Sequence, residues 1–284
     1  MLTNEELARY HKLGFVVPDY RLSETTLTRI RAAHSQFIER YPAFSDYCPA
    51  LIPLDPCFLE FARDETILNM VEQVLGNDFA LWNSSFFAKP ARVGTRTPWH
   101  QDGEYWAMRP LATCTVWMAI DDATLENGCL RFIPGSHKGK RARQHQINNA
   151  PGLALNQELT QDEFEESEAV DLVLEAGQIS LHDVYLVHGS EPNRSDHPRR
   201  GMTLRFMPTS SYYDRDIEQR QNASSPYPSL NEQELRNLQR VPLYLMRGTD
   251  LCGRNRYAGS FSEENDFRRD DETGRDFCQG PDGS

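Results

Sequence analysis

Apolar residues recur at helical spacing through the first quarter of the chain and at spacing two after it. Thr3 and Glu6 form the pair of a capping box, Leu7, Tyr10 and His11 follow at helical spacing, and Gly14 stops the run, predicting a short first helix. Ser23 caps a second helix from Glu24 to about Glu39, with Leu27, Ile30, Ala33 and Phe37 on one face. A third runs from Asp64 to Gly76, with Ile67, Met70, Val71 and Leu75 apolar and glycine in the stop position. From Phe79 the period is two. The predicted strands are 79–89, 113–120, 130–133, 170–174, 178–182 and 202–207, separated by turn residues at Pro90, Asn127-Gly128, Pro134-Gly135, Gly177, Pro192-Asn193 and Pro198.

Helices followed by a run of short strands predict an α+β chain with a mainly β core, an antiparallel sandwich or barrel. Asn231 with Glu234 predicts a later helix start, and the stretch from about Ser262 is charged and expected to fray. The chain reads as one domain: a helical layer over about 1–78, a core over 79–210, a helical or irregular segment over 211–261 and a polar tail over 262–284.

At 284 residues about three quarters of the unfolded surface can be buried, so neither a metal nor disulfides are needed to hold the core. Lys+Arg 30 against Asp+Glu 42 leaves a net charge of -12, which argues against nucleic acid and anionic membrane surfaces as partners. The start of the chain is polar, and no apolar run is long enough to cross a bilayer. Six cysteines, at 48, 57, 114, 129, 252 and 278, include no CxxC pair and read as reduced core residues of a cytoplasmic protein.

The chemistry lies in two places. His100 and Asp102 are two apart, so in an extended backbone both side chains leave one face and can grip one ion, a weak signal by itself. His188 supplies a second imidazole, and two imidazoles with one carboxylate leave open positions suited to non-haem Fe(II) and O2. Arg199, eleven positions beyond His188, can take the carboxylate of a diacid cosubstrate in a two-pronged ion pair. The remaining candidates have blander readings. His182-Asp183 resembles the pair of HD-type phosphohydrolases, but it ends a strand and lacks their helical ligands, so it is assigned a structural role. His137 reads as a turn residue or as one that backs a ligand; His11, His34, His145 and His197 read as solvated, as do Glu163, Glu165, Glu166 and Glu168.

His100-x-Asp102, Asn127-Gly128-Cys129-Leu130 leading to Pro134-Gly135-Ser136-His137, and His188-Gly189-Ser190 with Pro192-Asn193 and Arg199 resemble the phytanoyl-CoA dioxygenase family of Fe(II)/2-oxoglutarate oxygenases. The resemblance covers about Glu5 to Pro208. It implies a double-stranded β-helix (jelly roll, cupin-like) with His100, Asp102 and His188 on iron and Arg199 on 2-oxoglutarate, O2 as oxidant and ascorbate in support. Ser190 and Trp117 match positions lining the cosubstrate, and Ser85 is grouped with them. Halogenating members of the superfamily carry a small residue in place of the carboxylate, so Asp102 implies hydroxylation. The rivals are a cupin-like binding protein without turnover, a metal-dependent hydrolase, and a hydroxylase of phytanoyl-type acyl thioesters.

Strand parity gives an expectation about substrate. If Lys89 faces inward, so do Asn83, Ser85 and Phe87, while Trp82, Ser84 and Phe86 face outward; Trp117 places Thr113 and Thr115 inward, and Arg199 brings Thr203 and Arg205. With Tyr105 and Trp106 as a pocket wall, Asn83, Lys89, Arg109 and Arg205 make a polar, cationic pocket that suits a small amino acid or aminoalkylphosphonate better than a long acyl chain.

Overall fold

A computed structural model of the chain describes residues 1–103, 106–216, 230–231, 234–235 and 241–258. Tyr105 and the polar tail expected over 262–284 lie outside the described residues. Three helices occur as expected: α1 (Asn4–Leu13), α2 (Glu24–Arg40) and α3 (Glu65–Leu75). The Thr3 hydroxyl accepts from the Glu6 amide at 3.2 Å and the Glu6 carboxylate accepts from the Thr3 amide at 2.7 Å, so the capping box is reciprocal. The same exchange links Asn231 and Glu234, at 3.0 and 2.9 Å.

The strands are β1 (Phe15–Val16), β2 (Tyr47–Cys48), β3 (Phe79–Phe87), β4 (Thr97–His100), β5 (Met108–Arg109), β6 (Cys114–Ala119), β7 (Leu130–Phe132), β8 (His145–Ile147), β9 (Gln157–Leu159), β10 (Val170–Leu172), β11 (Ile179–Asp183), β12 (His188–Ser190), β13 (Gly201–Pro208), β14 (Tyr212–Tyr213) and β15 (Tyr244–Arg247). Antiparallel pairing orders the major sheet β1-β11-β6-β13-β3-β15, with β2 also on β3, and the minor sheet β10-β7-β12-β4. All six predicted strands are present; β4 and β12, which carry the metal-ligand candidates, are short additions.

The centre of the major sheet is buried on both faces, and parity sorts its residues. Val116, Met118, Ile179, Leu181, Met202 and Leu204 join Leu27, Ile30, Phe37, Leu68 and Val71 of α2 and α3 in one apolar cluster. Each such side chain contributes about 1.5–3 kcal/mol by leaving water. The alternate residues, Thr115, Trp117, His182, Thr203 and Arg205, are buried but polar or aromatic, and three of them, Thr115, His182 and Arg205, reach Asp102 just past the end of β4. The helical layer therefore seals one face of the major sheet while the other is left for chemistry. This two-sheet arrangement is the expected jelly roll.

Two local expectations change. His34, read as solvated, is buried on α2 with its ring 4.2 Å from that of Phe86. Cys48, Cys114 and Cys129 are buried free thiols and Cys252 is free as well, but Cys57 is disulfide-bonded, against the expectation of reduced cysteines throughout. No helix among the described residues is long and apolar enough to cross a membrane.

Candidate metal centre

His100 ends β4 and His188 begins β12, and the two are direct partners across that strand pair. Their rings lie 4.2 Å apart. Each Nδ1 lies against a carbonyl two residues back, His100 on Pro98 O at 2.8 Å and His188 on Leu186 O at 2.9 Å. A carbonyl can only accept, so both Nδ1 atoms carry the proton and both Nε2 atoms present lone pairs, the tautomer a metal ligand needs. Asp102 Oδ1 is 3.7 Å from His100 Nε2 and 4.0 Å from His188 Nε2. One ion about 2.1 Å from each donor can span such separations. His100, Asp102 and His188 are the one potential metal-binding group among the described residues, with their donor atoms all within 4.8 Å of one another.

The electrostatics suit that use. Burial alone would raise the Asp102 pKa, but the Arg205 charge, with His100 and His182 nearby, holds it well below the usual carboxylate range. Burial, reinforced by His100, pushes His188 well below its usual value and keeps its imidazole neutral. Thr115 donates its hydroxyl to Asp102 Oδ2 at 3.3 Å.

Beside this centre lies a second set of polar atoms with no protein to bond. Arg199 is fully buried; its Nε has no partner, and its Nη1 has one long contact, to Phe87 O at 3.4 Å. Trp117 Nε1 and Ser190 Oγ are also buried without partners. The Arg199 guanidinium lies over the Trp117 ring at 5.5 Å. Burial lowers its pKa to about 10, still far above neutrality. A buried cation with spare donors is costly unless an anion meets it. Glycines make the room: a Cβ on Gly201 would lie 2.2 Å from Trp117 Cζ2, and one on Gly128 (φ +80°) would lie 2.2 Å from Glu191 O.

The residues expected on the substrate side divide. Arg205 donates through Nη1 to Ser85 Oγ, to Thr203 Oγ1 at 3.0 Å and to Asn83 Oδ1 at 3.4 Å, and its guanidinium lies 5.2 Å from the Trp106 ring centroid. Asn83, Arg205 and Trp106 thus come together as expected, and Ser85 belongs with them rather than beside Arg199. Lys89 does not join them. Its Nζ donates to Thr95 O and to Glu191 O, the latter at 2.6 Å, and burial with the neighbouring Arg199 charge pushes its pKa down to about 6. Arg109 is exposed and caps its own loop, donating to Trp106 O at 2.8 Å and Met108 O at 2.7 Å. Of the three cations expected near a substrate, Arg205 alone is there.

Sequence reasoning passed over His182. It is buried, with Nε2 3.8 Å from Asp102 Oδ2, and neither ring nitrogen has a hydrogen-bond partner. The available signal was its parity with Ser180 on β11, the strand paired with the inward-facing Thr115 and Trp117.

Comparison with known proteins agrees with this geometry. The chain is 33% identical over 167 residues to a phytanoyl-CoA dioxygenase domain-containing protein 1 homolog of Dictyostelium discoideum, covering 58% of this chain and 59% of that one. It is 30% identical over 148 residues to a probable alpha-ketoglutarate-dependent hypophosphite dioxygenase of Stutzerimonas stutzeri, covering 51% and 50%. The matches thus span between half and three fifths of these relatives. Among solved structures, the apo form of the non-heme monooxygenase ThoJ superposes with a TM-score of 0.67 at 24% identity over 92% of each chain, which bears on fold. Residues 10–201 match the family described as Phytanoyl-CoA dioxygenase (PhyH), a span that holds His100, Asp102, His188 and Arg199, and the chain belongs to that family.

Proposed function

We propose that the protein is an Fe(II)- and 2-oxoglutarate-dependent dioxygenase that hydroxylates an unactivated C–H bond of a small polar metabolite. The observation that carries this reading is the convergence of two Nε2 lone pairs and one carboxylate oxygen within 4.8 Å, in a buried site beside a buried, under-bonded arginine. Iron and 2-oxoglutarate together supply O2 activation, which no side chain can provide. The chain's part is placement. His100, Asp102 and His188 would hold the metal through three donors from the chain, and positions for cosubstrate and O2 would remain. Arg199 takes the distal carboxylate of 2-oxoglutarate, with Ser190 Oγ and Trp117 Nε1 as further donors, which gives all three buried groups a partner. A binding protein or a hydrolase has no need of that anion clamp. The retained carboxylate of Asp102 favours hydroxylation over halogenation.

The substrate class rests on the row Asn83, Ser85, Thr203 and Arg205 beside Asp102, now without Lys89 or Arg109. Asn83, Ser85 and Thr203 already accept from Arg205, and an acyl chain laid there would leave that buried charge without an anion, whereas a small anion or zwitterion, such as an amino acid or aminoalkylphosphonate, pairs with the guanidinium. The Stutzerimonas relative, named for hypophosphite, is consistent with a small anion. The test is succinate release with Fe(II), 2-oxoglutarate and ascorbate across amino acids, betaines, phosphonates and acyl thioesters. Turnover on a small zwitterion or anion supports the reading, and turnover on a phytanoyl-type thioester alone refutes it.

A further inference from the structure

We infer that Thr115, His182 and Arg205 form a brace on Oδ2 of Asp102 that leaves only Oδ1 for a metal, with His182 as its directional member. The inference rests on the metal-centre reading above and adds to it His182, the one of the three that reading leaves without a part. The three are one cross-strand row: His182 is the register partner of Thr115 on β6, and Thr115 is the partner of Arg205 on β13. All three therefore face the same way from the major sheet, toward an aspartate on the minor one. Their polar atoms meet one oxygen: Thr115 Oγ1 at 3.3 Å, His182 Nε2 at 3.8 Å and Arg205 Nε at 3.9 Å from Oδ2. The two ligand histidines are nearest the other oxygen, Oδ1. The carboxylate is thus divided between two sets of neighbours.

His182 is the informative member. It is 2% exposed, yet neither nitrogen has a partner, and a buried polar group left so costs about 1–3 kcal/mol. Its Nε2 is less than about 1 Å beyond hydrogen-bond length from Oδ2, so a small rotation of the carboxylate satisfies both atoms. It is not a fourth ligand, because it lies on the Oδ2 side and outside the compact donor group. Arg205 cannot swing away to replace it, since Nη1 is tied to Ser85, Asn83 and Thr203. The consequence is coordination number. A carboxylate free at both oxygens can chelate and consume one of the positions that 2-oxoglutarate and O2 require, whereas one held at Oδ2 binds through a single oxygen.

The alternative role for His182 is packing, since its ring centroid lies 5.3 Å from that of Phe132 and 5.1 Å from that of His188. Two substitutions separate the roles. His182→Phe keeps an aromatic ring and removes the donor; His182→Gln loses the ring and keeps an N–H donor at similar reach. Anaerobic Fe(II) titration of the full chain is expected to give about 10–100-fold weaker binding for the Phe variant, with the Gln variant within about threefold of wild type. The visible charge-transfer band of the Fe(II)/2-oxoglutarate complex is expected to shift in the Phe variant only. Wild-type Fe(II) affinity in the Phe variant, or equal loss in both, overturns the brace. Should the Phe variant fail to fold, Thr115→Val against Thr115→Ser asks the same question, and equal affinity in that pair overturns it. A wild-type chain that binds no Fe(II) overturns the metal-centre reading and the brace with it, a result distinct from a tight wild type with a tight Phe variant.

Discussion

Replacing Arg199 with methionine should separate the cost of the anion clamp from its use. In the protein without cosubstrate the guanidinium is fully buried, its Nε is unpaired and its one contact to a carbonyl is long. Its pKa falls from the usual arginine range to about 10, which corresponds to a charge penalty of about 3 kcal/mol. Methionine fills much of the same volume without a charge, so Arg199→Met should unfold in urea with stability equal to wild type or up to about 3 kcal/mol higher, as found when buried ion pairs become apolar. The same change should weaken 2-oxoglutarate by about 3–5 kcal/mol, several hundredfold or more, because the dicarboxylate loses its charged partner. In a thermal-shift titration, wild type should gain about 2.7 kcal/mol at a hundred times its dissociation constant while the variant gains almost nothing at that concentration. Denaturation with and without 2-oxoglutarate reads both effects. A variant that is several kcal/mol less stable without ligand, or one that keeps its 2-oxoglutarate affinity within about tenfold, refutes the assignment of Arg199 as a strained, waiting clamp.

Three other outcomes follow from named contacts. His100→Ala or His188→Ala should abolish Fe(II) binding by equilibrium titration, with thermal midpoints close to wild type because each ring belongs to the polar donor group and not to the apolar core. Gly201→Ala puts a methyl 2.2 Å from Trp117 Cζ2, so the indole must move and 2-oxoglutarate affinity should fall by about tenfold or more, measured by tryptophan quenching. His34 gives a pH signature: burial, with the Arg200 charge adding, pushes its pKa down to about 4 from an unfolded value of about 6.5. The unfolded chain therefore binds the extra proton first, so this contribution is complete above about pH 6.5 and is lost as pH falls toward 4, by up to about 3 kcal/mol. His34→Leu should flatten the acid limb in urea melts at pH 7 and 4.5, and an unchanged slope would contradict the assignment.

What the sequence made legible follows from where each rule applies. N-caps and glycine stops are local, so the starts of α1, α2 and α3 and the glycine-stopped ends of α1 and α3 could be read directly. His100 and Asp102 were legible because two extended residues share a face, and His188 and Arg199 through the motif resemblance that groups them with that pair. The parity argument succeeded along β13 and β3 as far as Arg205 and Asn83, where pairing is regular. It failed at two places for physical reasons. Lys89 lies two residues past the end of β3 with φ +32°, so alternation no longer governs where it points. Beyond Asn83 a register shift leaves Trp82 opposite no residue of β13, and it packs on Trp106 at 4.5 Å, the ring that covers Arg205.

His182 shows a different limit, in which the rule held but one stretch of sequence did not display the neighbours. It was assigned a structural role because it ended a strand and lacked the helical partners of an HD pair, a comparison of one motif with one known chemistry. Its neighbours are set by register across three strands, which no single stretch of sequence displays: Thr115 is 67 positions before it and Arg205 is 23 after. Each of these residues alone is an ordinary buried polar side chain. Only when the row is assembled do a hydroxyl, an imidazole and a guanidinium meet one carboxylate oxygen, and only the sheet assembles it. The ligands of such a centre are therefore written in short motifs, while the groups that aim them are written in strand register.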